Sequence, residues 1–163
     1  MIMKITKIVL MLAMLLAGGC KPDNGGGNGG DERHEWNTTG QLIGEWELTE
    51  WNESSDNAMK VYLRFNENDT FDMYQRIYSA IWVHYTGTFT LNGSVLKGIY
   101  SDGEPWSADY NIAYSDEPLR IRLTNVESSK DVSIYSSTTI PDSVIEDCTE
   151  ATNVRSVTLE RFL

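Results

Sequence analysis

Period-two alternation of apolar and polar residues from Gln41 onward, tight-turn pairs between the alternating runs, and the lack of any helical stretch longer than a few residues predict an all-β fold. The expected arrangement is an antiparallel up-and-down meander closed as an eight-stranded, or possible nine-stranded, β-barrel with one short helix. An open sheet of that size would leave one apolar face and two edges unpaired, and closure removes both liabilities. The 163 residues make room for one domain of ordinary size. With 40% hydrophobic and 23% charged residues, the composition is that of a folded protein. A net charge of −11 argues against a nucleic-acid partner.

Three segments divide the chain: an export signal over 1–19, a cysteine and flexible linker over 20–40, and the barrel domain over 41–163. Lys4 and Lys7 precede an apolar run from Ile8 to Ala17, which at about ten residues is too short to span a bilayer. Leu16-Ala17-Gly18-Gly19-Cys20 resembles the lipobox of bacterial lipoproteins, with Ala17 at the position where leucine is commonest. That resemblance implies cleavage before Cys20 and a lipid on its sulfur. Asn24 to Gly30 is glycine-rich and carries no apolar anchor, so it reads as a tether. Its G-x-G-x-x-G pattern lacks the strand before and the βαβ unit around that a dinucleotide site requires. The address expected is the outer membrane, on its periplasmic face or at the cell surface.

The strands follow in order. Leu42, Gly44, Trp46 and Leu48 alternate with polar neighbours, as do Val61, Leu63 and Phe65 after a turn near Asn52 to Asn57. Asn66 to Asp69 turns the chain into Phe71, Met73, Gln75 and Ile77. Ile81, Val83, Tyr85, Gly87, Phe89 and Leu91 form one face of the next run, and Trp82, His84, Thr86, Thr88 and Thr90 the other. Asn92-Gly93 is a tight-turn pair leading into Leu96, Gly98 and Tyr100. Asp102-Gly103 leads into Trp106, Ala108, Tyr110, Ile112 and Tyr114, and Ser115 to Pro118 into Leu119, Ile121 and Leu123. Val132 and Ile134 mark a further strand, and Val157, Leu159 and Arg161 the last. Pro141 to Cys148 is the helical segment, expected to plug or flank a barrel mouth.

Gly44-x-Trp46, Phe65-x-x-x-x-Thr70-Phe71, Gly87-x-Phe89 before Asn92-Gly93, and the late Ile140-Pro141 occur in this order. In that order they resemble the lipocalins, and more closely the compact lipocalin-like domains of lipoproteins from gut anaerobes. The resemblance covers Leu42 to Phe162. It implies that Trp46 lies across the closed end of the barrel beneath an arginine of the last strand, the place of Arg161, as a structural pair. The chain departs from larger lipocalins in having no disulfide framework and no long C-terminal helix.

No G-x-S-x-G elbow, H-E-x-x-H pair, P-loop or spaced cysteine and histidine set occurs, so no catalytic residue, cofactor or metal is expected. Cys148 lies among Glu146, Asp147 and Glu150, whose charges oppose a reactive thiolate. His84 falls on the polar face with Thr86 and Thr88 and is expected to be solvated. Asn66 to Asp69 lacks the glycine and the closing glutamate of a calcium loop.

Aromatic side chains remain. Tyr85, Tyr100, Trp106 and Tyr110 share the predicted inner face and are the candidate ligand contacts. They either line a cup for a small apolar ligand or fill the core; a filled core with a shallow mouth is favoured. Trp51, Tyr62, Tyr74 and Trp82 fall on the outer parity, where they would form a patch for docking another envelope protein. The reading is a membrane-anchored, non-catalytic module for a small apolar ligand. Its alternative is a structural or accessory interaction protein.

Overall fold

A computed structural model describes residues 35–55, 58–151 and 161–163. The export signal, Cys20, the glycine tether and the strand expected over Val157 to Glu160 lie outside these residues. Eight strands form a meander: β1 (Gly44–Trp51), β2 (Met59–Phe65), β3 (Thr70–Ile77), β4 (Val83–Asn92), β5 (Val95–Tyr100), β6 (Tyr110–Asp116), β7 (Leu119–Asn125) and β8 (Val132–Ser137). Each pairs antiparallel with its neighbour in sequence, β1 pairs with β8, and the β3–β4 hairpin links the remaining ends. The meander thus closes on itself as a barrel, with the β5–β6 seam the shortest of its pairings. A ninth strand, β9 (Thr149–Glu150), pairs parallel to β4 above the reach of β5.

Alternation places Trp46, Leu48, Val61, Leu63, Phe65, Phe71, Met73, Val83, Tyr85, Phe89 and Leu96 in one buried core, as period two requires. Three expectations need correction. Ile81 and Leu91 are exposed, because they lie where the β4 run overruns the barrel at its two ends. In β8 the inward residues are Ser133 and Tyr135, not Val132 and Ile134; Ile134 and Tyr135 are adjacent apolar residues, and alternation alone cannot choose between their parities. Trp106 and Ala108 precede β6 rather than forming part of it.

Helix α1 (Asp142–Glu146) is too short to be stable alone. It packs on the outer wall of β2 and β3, not at a mouth, burying Val144 and Ile140 against Tyr62 and Tyr74, with Trp82, Ile145 and Cys148 at the margin. Glu45 fastens the approach to it: its Oε2 accepts the Ile140 amide at 2.7 Å. Tyr62 and Tyr74, expected as an exposed patch, are therefore buried under the chain's own helix. Trp51 stands apart from them, 38% exposed and edge-on to Phe162.

At the lower end, where the β2–β3, β4–β5 and β6–β7 turns gather, residues 37–42 cross beneath the barrel. Asn37 exchanges backbone hydrogen bonds with Tyr114, and Gly40 lies so close under the Tyr114 ring that a Cβ there would collide with it. The upper end carries the longer connections. One of them, 101–109, leaves β5 and β6 joined by only two residue pairs, Val95↔Asn111 and Leu96↔Tyr110. That gap is what lets Trp106 turn inward.

Candidate functional site

The site is built from the 101–109 connection. The Trp106 amide donates to Gly98 O at 3.0 Å, which holds the residue against β5. Its indole then occupies the space that a Cβ on Gly98 would take. This is a position where only glycine fits. The expected ligand contacts do come together: Tyr85 meets Tyr100 edge-on at 5.8 Å, Tyr100 meets Phe71 at 5.7 Å, Phe71 meets Trp106 at 5.1 Å and Trp106 meets Tyr110 at 6.2 Å. Such edge-to-face pairs are favourable by about 0.5–1.5 kcal/mol each beyond their buried area. These rings fill the upper interior rather than lining an open cup.

Arg161 to Leu163 sits in the upper mouth. Leu163 is 1% exposed and belongs to the core, and its carbonyl accepts the Tyr100 hydroxyl at 2.7 Å. The Phe162 amide donates to Gln75 Oε1 at 3.0 Å. Burial pushes the Tyr100 phenol well above its ordinary range, so it stays a donor at every ordinary pH. Arg161 lies over the Tyr100 ring at 4.3 Å and the Tyr85 ring at 5.4 Å, and pairs with Asp102. Its expected place over Trp46 is not the one it takes. Asp102, Tyr85 and Tyr100 offer it a carboxylate and two ring faces at the upper rim, while the Trp46 indole N–H is already bound to Leu42 O at 2.9 Å near the lower end.

Two shallow clefts flank this segment. One, of about 90 Å³, is lined by Tyr85, Tyr100, Asp102, Glu150 and Arg161 among others; the second, of about 200 Å³, by Leu48, Trp51, Met59 and Tyr78. Pockets that bury a drug-sized ligand hold roughly 300–1,000 Å³. Neither of these two reaches that size with Arg161 to Leu163 in place, whereas an open groove of about 320 Å³ lined by Thr70, Asp72, Thr86, Thr88, Ile99 and Tyr100 does.

Two polar atoms inside the barrel make no close hydrogen bond among the described residues: Trp106 Nε1 and the Tyr135 hydroxyl. Ser133, beside Tyr135 on the same strand, interacts with its hydroxyl, so Trp106 Nε1 is the interior donor left without any counterpart among the described residues. A buried donor left unmet costs about 1–3 kcal/mol. Tyr135 was not among the candidates, because the parity of β8 hides it.

On the outer wall His84 is not solvated. Nε2 lies 2.9 Å from Asp72 Oδ1, Nδ1 lies 2.8 Å from Glu150 Oε1, and the ring stacks on Tyr74 at 4.4 Å. Burial alone would lower the imidazole pKa, but the bonds to Asp72 and Glu150 outweigh it and hold it above the usual value. Burial first, and then Glu150, push the Cys148 thiol up.

Residues 42–121 match the family model described as a lipocalin-like domain. No curated protein and no solved structure matches the chain. The match begins at the residue whose carbonyl anchors Trp46 and runs through six of the eight strands and into the seventh of a barrel closed in sequence order, so this barrel is a lipocalin-like domain.

Proposed function

We propose that the protein is a non-catalytic binding module for a small apolar ligand carrying a hydrogen-bond acceptor, held at the envelope membrane by lipidated Cys20 and the glycine tether. The ligand enters at the upper mouth in place of Arg161 to Leu163. The observation that carries this reading is the seat of Leu163: a branched aliphatic side chain buried among aromatic rings, its carbonyl taking the Tyr100 hydroxyl. A ligand with an aliphatic body and a carbonyl or carboxyl oxygen satisfies the same contacts, and a second acceptor on it would meet the Trp106 indole N–H that Leu163 leaves open. The docking alternative loses its main support, since Tyr62 and Tyr74 are already covered by α1.

The test compares the intact chain with one lacking residues 161–163, using the apolar dye anilinonaphthalene sulfonate and a series of medium-chain fatty acids. The shortened chain should bind them roughly tenfold more tightly, corresponding to about 1.4 kcal/mol of displaced contacts. Trp106→Phe should reduce that gain. Equal binding by the two chains, with no effect of Trp106→Phe, refutes the reading. The anchor is tested separately by incorporation of radiolabelled palmitate, which Cys20→Ala should abolish.

A further inference from the structure

We propose that His84, Cys148 and Glu150 form a zinc-binding site on the outer wall of the barrel, with Asp72 orienting the histidine from behind. Their donor atoms, an imidazole nitrogen, a thiol sulfur and a carboxylate oxygen, lie within 4.8 Å of one another. The backbone explains the convergence. β9 runs parallel to β4 with Glu150 opposite His84. Cys148 stands two residues before Glu150, and side chains two apart on extended chain project to the same side. A Cys-x-Glu pair is thus presented to one imidazole.

The histidine is already oriented as a ligand would be. Its Nε2 faces Asp72 Oδ1 at 2.9 Å, and Asp72 is itself held by Asn66 Nδ2 at 3.2 Å. With the ring proton on Nε2, the lone pair of Nδ1 points to the cluster, the carboxylate–histidine–metal arrangement that fixes both tautomer and ring plane. The parallel Tyr74 ring at 4.4 Å restrains that plane further. Glu150 is half exposed, which gives the ion a path from solvent.

The donor set selects the metal. Calcium and magnesium take oxygen ligands, whereas a sulfur, nitrogen and oxygen set suits zinc. Three protein ligands leave one tetrahedral position for water. Metal–ligand bonds of about 2.0–2.3 Å place tetrahedral donors roughly 3.5 Å apart, so the cluster needs to contract by on the order of 1 Å. Zinc would break two existing contacts, Cys148 Sγ to Ile145 O at 3.0 Å and His84 Nδ1 to Glu150 Oε1 at 2.8 Å, and form the S–Zn, N–Zn and O–Zn bonds. The thiol proton and the proton between His84 Nδ1 and Glu150 leave to solvent, while Nε2 keeps the one it shares with Asp72. His84 and Glu150 line the same cleft as Tyr85, Tyr100 and Arg161, so the metal site adjoins the upper mouth, but its three donors need no ligand there.

The test uses the full chain purified in detergent, titrated with Zn²⁺ against a chromophoric chelator and with Co²⁺ as a spectroscopic probe. One metal per chain is expected, with a thiolate-to-Co²⁺ charge-transfer band in the near ultraviolet. That band should persist in Cys20→Ala and vanish in Cys148→Ser. His84→Gln should abolish tight binding, and Asp72→Asn should keep the stoichiometry but weaken affinity by about 10–100-fold. If Cys148→Ser does not fold, loss of the band on alkylating Cys148 in the folded native chain reads the same point. A chain with no thiolate band, or a Zn²⁺ affinity untouched by Cys148→Ser and His84→Gln, would mean binding by surface carboxylates only and would overturn the proposal.

Discussion

The two ends of the barrel hold one deeply buried tryptophan each, and they are satisfied differently. At the lower end Trp46 is 1% exposed and its indole N–H donates to Leu42 O. At the upper end Trp106 is 5% exposed and its N–H has no partner among the described residues. Burial is almost equal, so the hydrophobic contribution is similar and the polar atom is what differs. Locally, the lower end is complete. It is closed by residues just before β1, where Leu42 O takes the Trp46 indole N–H from four residues on. The upper end is completed by Arg161 to Leu163, whose partners Gln75, Tyr100 and Asp102 lie far back along the chain. The proposed ligand exchange therefore falls at the end that keeps an unmet donor behind a segment distant in sequence, and not at the locally closed end.

Breaking the lower end should have the largest effect. Trp46→Ala removes a fully buried indole and should cost about 3–5 kcal/mol, read as a fall in the denaturant midpoint. A loss under 1 kcal/mol would mean that the floor collapses around the cavity and that Trp46 does not close it. Gly98→Ala comes next. Its Cβ would overlap the Trp106 indole, so the ring must move or the strand must shift, at about 1–3 kcal/mol. Near-ultraviolet circular dichroism should change with it.

Replacing each tryptophan by phenylalanine sharpens the contrast. Both changes lose similar volume, but only Trp46→Phe also breaks a hydrogen bond, whereas Trp106→Phe removes a donor that had no partner. Trp46→Phe should therefore be the more destabilising by about 1 kcal/mol in the ligand-free protein. Equal losses would show that water inside the barrel already satisfies Trp106.

How much of this was readable from the chain differs between the same two regions. The lower end was legible: Gly44-x-Trp46 and the alternation of Val61, Leu63 and Phe65 follow from period two, which is a local property. The upper end was not. Trp106 reads as a strand residue in phase with Tyr110, and nothing nearby shows that Pro105 bridges to Ile99 and turns the indole inward. Tyr62 and Tyr74 sit on the outer parity as expected, yet they are buried, because α1 arrives from more than sixty residues later. Alternation reports which face a side chain takes, not what covers that face. His84 is the same case: its parity was right, while Asp72, Cys148 and Glu150 come to it from β3, from the turn after α1 and from β9. The two residues of β9 carry no periodic signal at all.

Smaller effects test how the upper segment is held. Tyr100→Phe deletes the hydrogen bond to Leu163 O and should cost about 1 kcal/mol while strengthening dye binding. The Arg161–Asp102 pair should matter least, since it lies exposed at the rim and such pairs contribute little. Its sign is nonetheless fixed. Arg161 holds the Asp102 carboxyl below its ordinary value of 3.8, so the pair supports the segment at neutral pH and fails only as pH falls through that lowered value. The Leu163 methyl resonances should therefore stay constant from neutral pH down to about 4 and shift only in stronger acid. High salt should shrink that shift, the screening length being about 3 Å at 1 M. Asp102→Asn should remove it, and this separates Asp102 from His84 and Glu150, which line the same cleft. A Leu163 shift that survives in Asp102→Asn would assign the acid response to those neighbours, and the clamp would then be the Tyr100 hydroxyl and the Gln75 amide alone.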